Sequence, residues 1–334
     1  MASLPLLPES DKPKLIGIAR LAAQGESLRE GHEVEYFTLP VKSLLNRCTV
    51  ERMPFTWTIN PYRGCEFACK YCYARYTHEF MEMRDGLEFE QKIYVKQHAA
   101  NLLHQELRKV KQGEEIAIGT ATDPYQPAER KFEITRTVLE EMARHQGLEI
   151  GIITKSNLIL RDLELLQQIS KHNRLSVSIT VTTLKTTLAR ILEPRAPRPD
   201  LRVEAIRQLN QAGILVGASC SPVIPGITDA PKDLDALVGA LAKAGAKYAF
   251  TNPLFLKPCS AAVFMPFLEK EFPQLVASYK HRYADRAYLP KSYGDRIHEL
   301  MKKLRQKHGM KSSYDRYNLK SHAVESEAAQ LPLF

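Results

Sequence analysis

The sequence predicts an α/β fold: a parallel sheet covered by helices, either curved into a partial barrel or left open. Three observations predict it. One unit recurs along the chain, an amphipathic helix, a glycine and a short apolar strand. The strands are continuously apolar rather than alternating, as strands buried on both faces are. No strand leads into the glycine-rich phosphate turn of a nucleotide-binding doubly wound sheet.

Taken in order, a first strand is expected near Phe55 to Ile59. Leu103, Leu107 and Val110 then keep helical spacing, and Gly113 precedes the strand Ile116–Ile118. Val138, Leu139 and Met142 lead through Gly147 to Ile150–Ile153, and Leu163, Leu166 and Ile169 lead to Leu175–Ile179. Val203, Ile206 and Leu209 lead through Gly213 to Ile214–Val216. Leu234, Leu237, Val238 and Leu241 lead through Gly245 to Tyr248–Phe250. Glycine fits the left-handed position that ends a helix. The expected organisation is an irregular N-terminal extension over 1–54, a barrel-like core over 55–260, a helical basic region over 261–324 and a tail over 325–334.

Hydrophobic residues make up 44% of the 334 and charged residues 25%, the balance of a soluble globular protein rather than a disordered one. No apolar run approaches the ~20 residues of a membrane span. Met1 to Lys14 carries Pro5, Pro8, Glu9 and Asp11 and no signal-peptide core, which reads as a cytoplasmic protein. The net charge of +9 permits a polyanionic partner. Residues 291–320 hold nine Lys and Arg against three Asp and Glu, so most of that charge is C-terminal.

The strand ends are polar: Asn60; Thr120, Thr122 and Asp123; Thr154 and Lys155; Ser178 and Thr180; Ser219 and Cys220; Thr251 and Asn252. Parallel sheets and barrels build their sites at the carboxyl ends of strands. Three of the six cysteines fall there in eight residues, as Cys65-x3-Cys69-x2-Cys72 directly after the first strand. In a reducing compartment they are thiols or metal ligands. A structural zinc site takes four ligands, usually from paired knuckles, and here there are three with no second pair. His78 or a distant cysteine is the fourth ligand zinc would need. Three thiolates suit a 4Fe–4S cluster with one iron left open.

This spacing, with Tyr71 just before the third cysteine, resembles the radical S-adenosylmethionine (SAM) superfamily. Residues 60–65 (Asn-Pro-Tyr-Arg-Gly-Cys), 72–75 (Cys-Tyr-Ala-Arg), 122–127 (Thr-Asp-Pro-Tyr-Gln-Pro), 154–156 (Thr-Lys-Ser) and 192–195 (Leu-Glu-Pro-Arg) resemble the branch that includes spore photoproduct lyase. The resemblance implies a partial (β/α)6 TIM-like barrel in which Cys65, Cys69 and Cys72 hold three irons and SAM chelates the fourth. It implies reductive cleavage of SAM to a 5′-deoxyadenosyl radical, with an electron from an external donor. Tyr71 would pack on the adenine or serve as a core aromatic. Thr120, Thr122 and Asp123 stand where the superfamily meets the SAM ammonium, Lys155 where a cation meets its carboxylate, and Ser178 near its ribose. Arg190 and Arg195 flank a Pro-rich loop at the same mouth, either as anion contacts or as ion-pair partners of Glu193. Residues 222–226 would wall the adenine side.

Spore photoproduct lyase has a hydrogen-donating cysteine near the end of its second strand. Here that stretch reads Gly119-Thr120-Ala121-Thr122, and Cys220 is the candidate substitute, against the reading of a small buried thiol. The function expected is a radical SAM lyase acting on DNA, in repair or modification of a damaged base. A radical SAM enzyme acting on a peptide or small molecule is one rival. A non-enzymatic metal-containing nucleic-acid binder, based on Lys302, Lys303, Arg305 and Lys307, is the other. The last five residues, Gln330, Leu331, Pro332, Leu333 and Phe334, resemble the pentapeptide that tethers bacterial repair and replication proteins to the sliding clamp. Apolar anchors on a polar tail suit capture by a partner's pocket.

Overall fold

The computed structural model describes residues 15–25, 27–31, 34–50 and 53–310. Helix α1 (Gly17–Ala23) leads to β1 (Ser27–Gly31), β2 (Val34–Leu39) and β3 (Leu45–Arg47). Next come β4 (Trp57–Ile59), β5 (Tyr62–Arg63), α2 (Tyr76–Glu79), α3 (Glu88–Gln91) and β6 (Lys92–Lys96). The repeated units follow as α4 (Ala99–Glu106), β7 (Glu115–Ile118), α5 (Glu129–Phe132), α6 (Ile134–Met142), β8 (Glu149–Thr154), α7 (Leu163–His172) and β9 (Arg174–Thr180). They continue as α8 (Thr186–Leu192), α9 (Pro199–Gln211), β10 (Leu215–Ser219), α10 (Pro231–Lys243) and β11 (Ala249–Phe250). Helices α11 (Pro258–Glu271), α12 (Val276–Arg282) and α13 (Lys291–Lys307) end the described chain. None of its helices is long and apolar enough to cross a membrane.

The larger sheet has the order β11-β10-β9-β8-β7-β4-β3. Its first six members are parallel and follow chain order from β4 to β11, as the repeated unit predicts; β3 caps the edge in antiparallel sense. Ile59, Ile118, Ile152, Val177 and Val216 stand in register across five strands. All are fully buried in one cluster with helix residues such as Val138, Leu166, Ile206 and Leu237. Because side chains alternate, the opposite face carries Thr58, Ala117, Gly151, Ser176, Ser178, Gly217 and Ser219. This small and polar inner face is the partial barrel's lumen. Tyr248 fills one side of it: a Cβ on Gly217 would lie 2.2 Å from the Tyr248 ring, and the Tyr248 hydroxyl sits 3.0 Å from Ser178 Oγ.

The sequence suggested an irregular N-terminal extension, but its described residues form regular elements. Its β1 and β2 join β5 and β6 in a second sheet of order β1-β2-β6-β5. β1 and β2 pair with each other in antiparallel sense, and β2 pairs in parallel with β6, more than fifty residues downstream, a contact no local pattern announces. This sheet braces the cysteine loop, which follows β5 directly. The C-terminal region is helical as expected. Phe264, Leu268 and Tyr279 of α11 and α12 pack with Phe67, Cys69 and Tyr71, and Ile297, Met301 and Leu304 of α13 join the main core. Residues 311–334, including the pentapeptide, lie outside the described residues.

Candidate active site

The three cysteines stand on one loop between β5 and α2. Gly64 enters it at φ +83°, where a Cβ would come 2.7 Å from Lys92 O and 2.9 Å from Phe89 O. Only glycine lets the backbone pass that close. From there the peptide groups are held by distant partners. Thr122 Oγ1 and Gln126 Nε2 donate to Gly64 O at 2.6 and 3.1 Å. Cys65 N donates to Phe89 O at 2.9 Å, and Glu66 N to Gln126 Oε1 at 3.0 Å. The Glu66 carboxylate accepts from Ala128 N at 2.7 Å and from the Tyr36 hydroxyl at 2.9 Å. Lys70 N donates to Leu192 O, and Arg195 N to Phe67 O. The buried Arg75 donates to Cys69 O at 3.1 Å and pairs with Glu90 at 2.5 Å; Ser260 Oγ donates to Cys72 O at 2.9 Å. Thus residues 122–127 and 192–195 act as clamps on the loop, a role their sequence did not disclose.

The donor chemistry suits a cluster. Cys69 is buried, and Cys65 and Cys72 are half-buried. Burial pushes the Cys65 thiol up, with Asp123 adding to it. Burial also pushes Cys69 up to about 12, with Lys155 opposing. Such thiols keep their protons until a metal's charge replaces them. Thiolates on one tetrahedral zinc stand about 3.8 Å apart, from a Zn–S bond near 2.3 Å. Three cysteines with no second knuckle leave such a zinc one thiolate short, whereas three thiolates suit a 4Fe–4S cluster with one iron open. The His78 ring lies against α3 and β6: its Nε2 is 3.1 Å from Lys92 O, and it packs edge-on to Phe89 and Tyr94.

The other expected residues fall into two groups. Lys155 leaves the end of β8 toward the cysteine loop, with its ammonium 5.7 Å from the centre of the Tyr71 ring. Burial disfavours its charge, but Cys69, Glu193 and Asp123 together hold its pKa above the usual lysine value. Asp123 accepts from Thr154 Oγ1 at 2.6 Å, Lys155 N at 2.7 Å and Tyr125 N at 3.0 Å. It thereby staples the β7 end to the β8 end. Thr120 O accepts from the Tyr73 hydroxyl, and Thr120 Oγ1 from Asn60 Nδ2 at 3.3 Å. Thr122 is buried and committed to Gly64 and Gln126. Ser178 lies deeper than expected, two residues before the end of β9.

Cys220 belongs elsewhere. It continues the Val216–Ala218 row that faces the helices, is 1% exposed and packs in the main core cluster. The cluster cysteines pack in a different one. The structure thus gives it the place of a small buried thiol, not of a group at the mouth. Glu193 is the residue that sequence reasoning underrated. Arg190 turns to Pro194 O, and the ionic partner of Glu193 is Arg202 of α9, at 2.5 Å with both side chains buried. The same carboxylate accepts from the Tyr71 hydroxyl and, at 3.1 Å, from Thr182 Oγ1. The pair therefore anchors Tyr71 beneath the cysteine loop.

A family model described as the radical SAM superfamily matches residues 59–238, more than half of the chain. An uncharacterized protein of Mycobacterium tuberculosis is 33% identical over 294 residues, covering 87% of this chain and 85% of its own. One of Methanocaldococcus jannaschii is 27% identical, covering 77% and 91%. Among solved structures, a spore photoproduct lyase mutant superposes with a TM-score of 0.64 at 13% identity, over 92% of this chain and 88% of that one. A second lyase mutant, with bound AdoMet and dinucleoside spore photoproduct, gives 0.61 at 13% identity over 80% and 77%. Streptococcus suis SuiB bound to the precursor peptide SuiA gives 0.51 at 13% identity, over 76% of this chain and 47% of SuiB.

Proposed function

This chain belongs to the radical SAM superfamily, as an enzyme with a 4Fe–4S cluster and SAM as cofactors, and from that premise we propose that it acts on a damaged or modified base in DNA. The chemistry the bound cofactors supply is one-electron cleavage of a C–S bond, yielding a 5′-deoxyadenosyl radical that takes hydrogen from the substrate. The chain's own part is placement. Cys65, Cys69 and Cys72 hold the cluster on a loop braced from several sides, so little reorganises when it loads. Lys155 offers its ammonium beside Cys69, where it would pair with the SAM carboxylate. Tyr71, held by Glu193 and Arg202, walls the cluster side, and Thr120 lines the rim. The inner face carries small side chains, with Tyr248 against Gly217 and Ser178 on one side.

The observation that carries the DNA reading is the extent of the likeness to spore photoproduct lyase, 92% of this chain and 88% of that one, against 76% and 47% for SuiB. The 122–127 and 192–195 segments, which clamp the loop, resemble the same branch. The C-terminal charge contributes less than its count suggests. Arg305 donates to Ala249 O at 3.2 Å, Lys307 pairs with Asp235 at 2.6 Å and Lys302 lies 3.9 Å from Glu299, so Lys302 and Lys303 are both exposed but only Lys303 has no acidic partner among the described residues. Clamp tethering through Gln330 to Phe334 remains part of the proposal on sequence grounds and agrees with a DNA substrate. The peptide reading rests on SuiB.

The test is anaerobic reconstitution followed by quantification of 5′-deoxyadenosine with UV-irradiated DNA, undamaged DNA and peptides. The expected result is stimulation and lesion loss with irradiated DNA alone. Stimulation by peptides instead would replace the DNA reading.

Lys155→Ala isolates the SAM contact. Losing a charge-assisted hydrogen bond of about 1.5–3 kcal/mol should weaken SAM binding roughly ten- to a hundredfold. The iron content should change little, because the hydrogen bonds that hold the loop do not use the ammonium. Calorimetry on the loaded protein measures it. Unaltered affinity would place the SAM carboxylate elsewhere.

A further inference from the structure

A second group of ligand-type side chains lies on the outer helix layer, separate from the cysteine loop. His104 stands on α4; Glu141 stands on α6, and His145 one turn later. His104 Nδ1 and His145 Nε2 lie 2.7 and 3.0 Å from the same oxygen, Glu141 Oε1. The carboxylate is 2% exposed at its side chain and His104 is 51% exposed. The two rings meet edge-to-face with centroids 5.8 Å apart. Arg144 holds the other oxygen, Oε2, at 3.1 Å. The three ligand atoms all lie within 4.8 Å of one another.

We propose that His104, Glu141 and His145 bind a divalent transition metal ion, Zn²⁺ by ligand type, as a clip between α4 and α6. Two imidazole nitrogens and a carboxylate oxygen are a ligand set that zinc takes, with the fourth position left for water. Arg144 on Oε2 turns Oε1 toward the imidazoles, the orienting part that an outer partner plays in metal sites. The present separations are those of hydrogen bonds. A tetrahedral ion with bonds near 2.0–2.1 Å spreads its ligand atoms to about 3.3–3.4 Å. His104 must therefore move outward by roughly 0.6–0.7 Å, for which its exposure gives room, and His145 by roughly half that. Each imidazole binds the metal as the neutral tautomer, through the nitrogen that now faces Oε1, with its proton on the other ring nitrogen. Arg108, 3.3 Å from His104 Nε2, is exposed and can swing clear of the added charge and of the proton on Nε2. Copper(II) should bind more tightly still, following the usual order of the divalent metals.

The site also bears on how metal analysis of this protein is read, because zinc found in it has an address other than the cysteines. The test uses full-length protein in two forms, cluster-loaded and with Cys65, Cys69 and Cys72 all changed to Ala, each titrated with Zn²⁺ against a chromophoric chelator. One zinc per chain is expected in both forms. The cobalt-substituted triple variant should show no thiolate charge-transfer absorption. His104→Ala and His145→Ala should each weaken zinc by at least about tenfold, with unchanged circular dichroism and unchanged SAM cleavage. Failure of the triple variant to bind zinc, or equal affinity in both histidine variants, would overturn the proposal and leave the group as a hydrogen-bonded clamp between helices.

Discussion

Cys65→Ala, Cys69→Ala and Cys72→Ala should each reduce SAM cleavage to background, the largest effect expected of any substitution in this chain. Three thiolates leave one iron of a 4Fe–4S cluster open for SAM. With two, a second iron is exposed, and the cluster is lost or no longer presents one defined site. The loop should survive each change, because it is held through backbone and clamp contacts from Thr122, Gln126, Arg75, Leu192 and Ser260 rather than through sulfur. Iron analysis, electron paramagnetic resonance of the reduced protein and 5′-deoxyadenosine release measure the loss. Cys48→Ala, Cys259→Ala and Cys220→Ala should keep the cluster and the cleavage, the last at some cost in stability because Cys220 fills the main core. Full cleavage by any one of the three loop variants would mean that a different residue ligates the iron.

Arg202→Met should produce the largest loss of stability, about 3–5 kcal/mol, because it strands the Glu193 carboxylate in the interior. Both side chains of this pair are at most 1% exposed. Arg202 and Lys155 hold the Glu193 carboxyl below its usual range against burial, which acts the other way. Such a loss is a large fraction of the 5–15 kcal/mol that typically separates folded from unfolded domains. Thermal or urea unfolding reads it directly. Because Glu193 also receives the Tyr71 hydroxyl and Thr182 Oγ1, the damage should spread to the cysteine loop and lower cluster retention. Glu193→Gln/Arg202→Met, which leaves no buried charge unpaired, should recover much of the stability. A single-variant loss no greater than about 0.5 kcal/mol, the scale of ordinary surface substitutions, would show that water reaches the pair.

The residues that proved legible share a physical property: their signal is local. The six strands of the barrel and their helices announce themselves through apolar period and terminal glycines, both short-range features. The cysteine spacing is likewise contained in eight residues. Even the side on which Cys220 lies was available in the alternation, since Val216 and Ala218 already mark the row facing the helices. The same counting puts Lys155 on the inner row opposite Ile152 and Thr154. Ser178 shares that row, although its depth depends on where β9 ends.

By itself, then, the sequence determined the parallel α/β architecture, the cysteine loop and the polar strand ends that surround it. Tertiary structure alone decided what holds that loop. The β2–β6 pairing, the Tyr36–Glu66 bond, the Gln126 clamp and the Tyr71–Glu193 bond each join residues from thirty to more than a hundred positions apart. Tertiary structure also withdrew Arg305 and Lys307 from the free basic surface and moved the ion pair of Glu193 from its sequence neighbours to α9. A hydrogen bond or ion pair forms where burial removes water and a partner's geometry is complementary. Both conditions exist only once distant segments have packed together, and no local pattern of residue types encodes which segments meet.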